Sequence, residues 1–142
     1  MATAPYPCFW LKDNAREAAD YYCSIFPDSR IINANPMAVV FDLNGARHMA
    51  LNGAGDHGFN EGISLVITCD NQEEIDHYWD RLSENGQPGR CGWLKDKFGV
   101  SWQVVPRVLG ELMSNPETAP KTMYAFMQMS KFDIAKLLEA QA

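Results

Sequence analysis

The chain has 142 residues, 46% hydrophobic and 21% charged, enough for one domain or for two small half-domains that share a core. A formal charge of −6 and a pI near 4.9 disfavour nucleic acid and anionic membranes, which bind clustered Lys and Arg. No apolar run approaches the ~20 residues of a membrane span, and the first ten residues lack the basic start and apolar core of a secretory signal. Cys8, Cys23, Cys69 and Cys91 form no C-x-x-C pair, so free thiols in a cytoplasmic protein are expected.

The strand-like run P-C-F-W-L comes first, followed by D-N-A-R-E-A-A-D-Y-Y over residues 13–22. Asn followed by Glu three positions into an apolar-periodic stretch is a helix-start signature. Ala15, Ala18, Ala19, Tyr22, Ile25 and Phe26 recur at helical spacing, and Pro27 ends the run. Next come the strands S-R-I-I-N, A-V-V-F-D-L and A-R-H-M-A-L-N, the last two joined by Asn44 and Gly45, a strong hairpin signal. The glycine-rich residues 53–62 follow as a joint. The strand I-S-L-V-I-T-C then leads into D-N-Q-E-E-I-D-H-Y-W over residues 70–79, a second copy of the helix start, with Ile75, Tyr78, Trp79 and Leu82 on the buried face and His77 on the solvent side. Gly86 suits the left-handed stop of this helix. The strands C-G-W-L-K-D and V-S-W-Q-V-V-P close the second copy, bending at Phe98 and Gly99.

The motif D-N-x-x-E-x-x-x-Y-[YW] thus occurs twice, 57 residues apart. The chain reads as α+β: two tandem β-α-β-β-β modules, about 5–53 and 62–106, within a single domain of residues 1–142. Two such halves, from one chain or exchanged between subunits, would curl into a cupped mixed sheet with helices outside and a cavity inside. Residues 107–142 read as a tail of three helices: one at 107–115, one at about 121–129, and one capped by Asp133. Met113, Met123, Met127 and Met129 in this tail are expected to be core or dimer packing.

The segments A-L-N-G, F-N-E-G-I-S-L, Q-E-E-I-D-H-Y-W-D-R-L-S-E-N-G and C-G-W-L-K-D-K-F-G-V-S-W-Q-V-V-P resemble the PhnB-like family, also labelled the 3-demethylubiquinone-9 3-methyltransferase domain. That family lies in the vicinal oxygen chelate superfamily, with glyoxalase I, extradiol dioxygenases and bleomycin resistance proteins. The resemblance runs from about Pro7 to the C-terminus. It implies a glyoxalase-like fold and a homodimer, but no particular reaction. Methyl transfer itself is not expected, because the chain has no glycine-rich strand-to-helix loop for a nucleotide-type cofactor and its strands come in runs of three.

The resemblance also implies where metal-dependent relatives carry ligands: on the first and last strand of each module, facing the cavity. Aligning Gly45 with Gly99 pairs Met49 with Gln103, and the 57-residue offset pairs Pro7 with Ser64 and Phe9 with Val66. Alternation puts Ile63, Leu65, Ile67, Val100, Trp102 and Val104 under the helix, and Ser64, Val66, Thr68, Ser101, Gln103 and Val105 on the cavity side. Pro7, Met49, Ser64 and Gln103 do not make a metal site, since a divalent ion wants carboxylate or imidazole. No metal and no other cofactor is expected. His48 reads as a structural histidine, and Asp56, His57 and Glu61 as a polar loop. The expected function is metal-free binding of a small molecule in a pocket lined by Phe9, Met49, Ser64, Trp93, Ser101 and Gln103. Gln103 and Ser64 would orient the ligand, and Trp93 would either stack on it or simply pack on the sheet. The alternative is a metal-dependent lyase, isomerase or dioxygenase of the same superfamily. A metal-free enzyme using Asp96 or His48 as acid or base is a further option.

Overall fold

In the computed structural model, which describes residues 1–142, the two copies of the helix motif each open onto their own four-stranded sheet. The chain is α+β and divides into two compact units, Met1–Gly58 and Phe59–Ala142. No helix is long and apolar enough to cross a membrane.

The first unit holds β1 (Cys8–Trp10), α1 (Ala15–Ile25), β2 (Ser29–Ala34), β3 (Ala38–Leu43) and β4 (Ala46–Leu51), with sheet order β1-β4-β3-β2. β1 runs parallel to β4; the other pairs are antiparallel, and β2 carries a bulge between Ile31 and Asn33. Asn44 and Gly45, at φ 47° and 83°, make the two-residue hairpin loop, a turn that needs left-handed backbone at both positions. One face of the sheet carries Phe9, Val39, Phe41, Leu43 and Ala50, all buried, against the Ala15, Ala18, Ala19, Tyr22 and Ile25 stripe of α1. The small alanines let the helix approach, and Tyr22 fills the centre between Phe9 and Phe41.

The N-terminus of α1 departs from the expected capping. The Asn14 side chain makes no cap hydrogen bond. Instead Asn52, just past the end of β4, accepts from the Ala15 backbone N–H at 2.9 Å and donates to the Pro36 carbonyl at 3.0 Å. The link from β1 brings Asn14 in with φ −117° and ψ 33°, and the cap falls to a residue 37 positions away.

The second unit repeats the plan with β5 (Leu65–Cys69), α2 (Gln72–Ser83), β6 (Gln87–Pro88), β7 (Trp93–Lys95) and β8 (Ser101–Pro106), in order β5-β8-β7-β6. The short strand β6 has no apolar alternation to announce it, and the sequence does not reveal it. Here the capping signature works as written: Asn71 accepts from the Glu74 N–H at 2.9 Å, and Glu74 reaches back to accept from the Asp70 N–H at 2.6 Å. The helix ends differently from expectation. Asn85, at φ 60°, takes the left-handed position. Gly86 is needed for close approach, since a Cβ there would lie 2.2 Å from the Lys95 carbonyl oxygen. Ile63 also departs from the alternation, standing 79% exposed ahead of β5.

The tail forms α3 (Val108–Ser114), α4 (Ala119–Phe126) and α5 (Ile134–Glu139), the last capped by the Asp133 side chain accepting from the Lys136 N–H at 3.1 Å. It is stitched to the second module. Gln72 of α2 donates to the Phe132 carbonyl and accepts from the Ile134 N–H, both at 2.9 Å. The Cys91 and Gly92 amides donate to the Met129 and Ser130 carbonyls. Gly92, at φ 83°, lies so close to the Phe132 ring that a Cβ would stand 2.6 Å from it. Of the tail methionines only Met129 is buried; Met113, Met123 and Met127 are exposed.

Replacing Asn52 with Ala is expected to cost about 1–2 kcal/mol of stability, a typical cap loss plus a stranded carbonyl. Asn14→Ala should cost well under half of that. Urea unfolding of the two variants checks the assignment, and equal losses would return the cap to Asn14.

Candidate functional site

Strand register decides which side chains share a face. In the second sheet Val66 pairs with Gln103 and Gln103 with Trp93, while Ser101 pairs with Lys95 and Lys95 with Gln87. These residues alternate with Leu65, Leu94, Trp102 and Val104, of which the last three are almost wholly buried and lie on the α2 side. The face turned away from the helix therefore carries Ser64, Val66, Trp93, Lys95, Ser101 and Gln103.

On that open face the Gln103 amide donates to the Ser64 hydroxyl at 2.9 Å. Trp93, half-buried, lies beside Gln103 in register. Trp93 and Ser101 line a cavity of about 200 Å³ together with Lys95, Gln87 and Glu61. Ser101 is 1% exposed, and its hydroxyl has no hydrogen-bond partner. An unmade buried hydrogen bond of that kind costs about 1–3 kcal/mol, which an acceptor entering the cavity would recover. Lys95 forms an ion pair with Glu61, whose carboxyl is held below its usual range by the hydrogen bond from that ammonium. Lys95 was absent from the sequence-derived pocket. The signal for it was available, since a residue two positions from Trp93 on one strand shares its face.

The first sheet offers a different open face. Met49 pairs with Cys8 and Val40, and Asp42 with Arg30 and Arg47. Arg47 Nε donates to Asp42 Oδ1 at 2.7 Å. Phe9 does not belong to this face. It is 5% exposed and packs on Tyr22 and His48, on the helix side. The reason is a register difference of one residue. With Met49 equivalent to Gln103, Cys8 answers to Val66, an offset of 58, because the link from β1 to the cap of α1 is one residue longer than its counterpart before α2. The partner of Ser64 is thus Tyr6, not Pro7. Helix motifs 57 residues apart cannot report an insertion in the link that precedes them.

The corrected positions still do not suit a metal. The first module contributes Tyr6 or Cys8 with Met49, and the second Ser64 or Val66 with Gln103; burial raises the Cys8 thiol further from its ionised form. No three His, Cys, Asp or Glu side chains come together anywhere in the chain. The His57 ring lies 4.3 Å from that of Trp10, and Glu61 pairs with Lys95. A hard or borderline divalent ion has no adequate donor set on either face.

The two candidate acid–base residues are both held in local contacts. Asp96, 3% exposed, accepts from the Phe98 and Val100 N–H groups at 2.8 and 3.1 Å and from Trp102 Nε1 at 2.8 Å, closing the turn between β7 and β8. His48, 8% exposed, stacks on Phe41, and its Nδ1–H donates to the Ala46 carbonyl at 2.8 Å. Burial pushes His48 below its ordinary value near 6.5, against that hydrogen bond and the Asp42 charge. All four thiols are free, and burial with the charges of Glu74 and Asp70 pushes Cys69 up to about 12.

Asp96→Ala should destabilise the protein by about 3 kcal/mol or more, since three donors lose a charged acceptor, and chemical unfolding will read the loss. For His48 the sign follows from a folded-state value below the unfolded one. Its contribution is complete above about 6.5 and is lost as the pH falls from there through the depressed folded value. Thermal unfolding between pH 7.5 and 5 should show this limb, and His48→Phe should flatten it; an unchanged limb would assign the acid sensitivity elsewhere.

The model of the family described as 3-demethylubiquinone-9 3-methyltransferase matches residues 3–105. No curated protein matches the chain. Among solved structures, a PhnB protein from Bacillus cereus is 28% identical, with a TM-score of 0.66 over 73% of this chain and 99% of that one. A protein from Pseudomonas aeruginosa shares the fold at 19% identity and TM-score 0.63, covering 74% of this chain and 98% of its own. The fosfomycin resistance protein FosX from Listeria monocytogenes, solved with Mn(II) and sulfate, does so at 14% identity and TM-score 0.59, covering 80% and 97%. The paired βαβββ modules and these likenesses agree: the chain belongs to the family described as 3-demethylubiquinone-9 3-methyltransferase, in the vicinal oxygen chelate superfamily.

Proposed function

We propose that the protein is a metal-free, homodimeric binder of a small molecule, whose ligand lies on the open face of the second module. The observation that carries this reading is the buried, unpartnered Ser101 hydroxyl in a cavity that Trp93 also lines, on a sheet face that also presents the bonded Ser64–Gln103 pair. An apolar wall with a few fixed polar groups is the usual form of a small-molecule site. The free thiols fit a reducing, cytoplasmic setting.

The second reading is a metal-dependent lyase, isomerase or dioxygenase. The likeness in fold to FosX, which was solved with Mn(II), favours it. Against it stands the donor chemistry of Met49, Ser64 and Gln103, which supplies a thioether, a hydroxyl and an amide. Literal methyl transfer is disfavoured as well. Each sheet combines one parallel pair with two antiparallel pairs, unlike the parallel α/β sheet whose glycine-rich loop cradles a nucleotide-type cofactor.

Total metal measured on untagged protein before and after incubation with Zn, Ni, Mn and Fe(II) is expected to stay well below one per chain. One metal per module, lost in Gln103→Ala, would overturn the metal-free reading. In a ligand screen followed by calorimetry, Gln103→Ala and Trp93→Ala should each weaken a hit by about tenfold, roughly the value of one hydrogen bond or one stacked ring.

A further inference from the structure

The cavity on β6, β7 and β8 holds an ammonium, that of Lys95, paired with Glu61, which the binding reading leaves without a role. Lys95 stands in the middle strand of that row, between Gln87 and Ser101 in register. Its present partner, Glu61, lies outside any strand or helix, with a side chain 61% exposed, whereas the lysine side chain is only 35% exposed. Such a solvated pair is weak and exchangeable. At the other end of the row Ser101 holds its hydroxyl buried and unpartnered. Trp93, two positions from the lysine on the same strand and paired with Gln103, lines the same cavity.

We propose that this cavity selects a small carboxylic acid with a flat apolar body: the ligand carboxylate displaces Glu61 from Lys95 and accepts from Ser101, and the body covers Trp93. The proposal rests on the small-molecule reading above and adds the ligand's charge and class. A carboxylate satisfies both observations together, because it is an acceptor for an orphaned donor and a counter-ion for an ammonium. A neutral ligand would leave the lysine with Glu61 and use only the serine. A cation would meet Lys95 and be repelled. The volume sets the size: about 200 Å³ is below the range of roughly 300–1,000 Å³ of drug-sized sites, so the cavity holds a small acid or the acidic end of a longer one. Glu61 then acts as a built-in competitor that occupies the ammonium when no ligand is present.

The test uses the full chain, with benzoate and its neutral counterpart benzyl alcohol as probes and Trp93 fluorescence as readout, a Trp93→Phe chain giving the background of the other tryptophans. Benzoate should give a saturable change, and benzyl alcohol should bind at least about tenfold more weakly. Lys95→Met should weaken benzoate about tenfold or more and Ser101→Ala about three- to tenfold, as expected for losing a charged and a neutral hydrogen-bond partner. Glu61→Gln should tighten benzoate about threefold or more by removing the competing carboxylate, an outcome that no merely structural role for Glu61 produces. Circular dichroism of each variant establishes that it is folded. If benzyl alcohol matches benzoate, or Lys95→Met and Glu61→Gln leave benzoate unchanged, charge selection is wrong while a small-molecule site on this face stands. If neither probe perturbs Trp93, both the selection and the binding face are overturned.

Discussion

The buried carboxylate of Asp96 is the constraint on which the open face of the second module depends. It collects two backbone donors from the turn and the Trp102 indole from the next strand, so β7 and β8 can meet in only one register. That register puts Trp102 and Leu94 together on the helix side and, through alternation, Trp93 beside Gln103 and Lys95 beside Ser101 on the other. A slip of β7 by one residue would bury Lys95 under α2 and turn Leu94 out. The Asp96 carboxylate thus organises the turn, and the imidazole of His48 lies against the Phe9 and Phe41 rings in the first sheet.

How much of this was legible in the sequence follows from which signals are local. The second helix start, the Asn-Gly hairpin and the Asp133 cap each depend on residues a few positions apart, and each formed as read, whereas the first helix start formed without its Asn14 cap. The helix and strand faces of the second module followed from periodicity, except at Ile63, where the strand had not yet begun. What escaped was non-local or too short to have a period. Asn52 caps a helix from the far end of the sheet, β6 has only two residues, and Gly86 is glycine because of Lys95 and not because of its own dihedral. The pocket was half legible for the same reason. Ser64, Trp93, Ser101 and Gln103 share a face because alternation says so, Met49 lies on the other module's open face, and Phe9 lies under α1 because a link residue shifts β1 against the helix motif.

The two modules share a plan and have diverged in what their open faces carry. The first presents a carboxylate between two arginines next to apolar Val40 and Met49, whereas the second presents a lysine, two serines, an amide and an indole. The fold and the duplication are common to the superfamily, but the chemistry lies in a few strand positions that can change without disturbing either helix.

Gly92 gives the C-terminal tail a meaning beyond an added layer of helices. Because the Cys91 and Gly92 amides find their acceptors in Met129 and Ser130, and Phe132 lies where a side chain at 92 would stand, the turn leading into Trp93 is completed by residues some forty positions later. During synthesis on a ribosome, the strand bearing Trp93 emerges well before the segment that finishes its turn. The turn that opens the Trp93 strand is therefore complete only once residues 129–132 have reached it, which makes the tail a structural part of the second module.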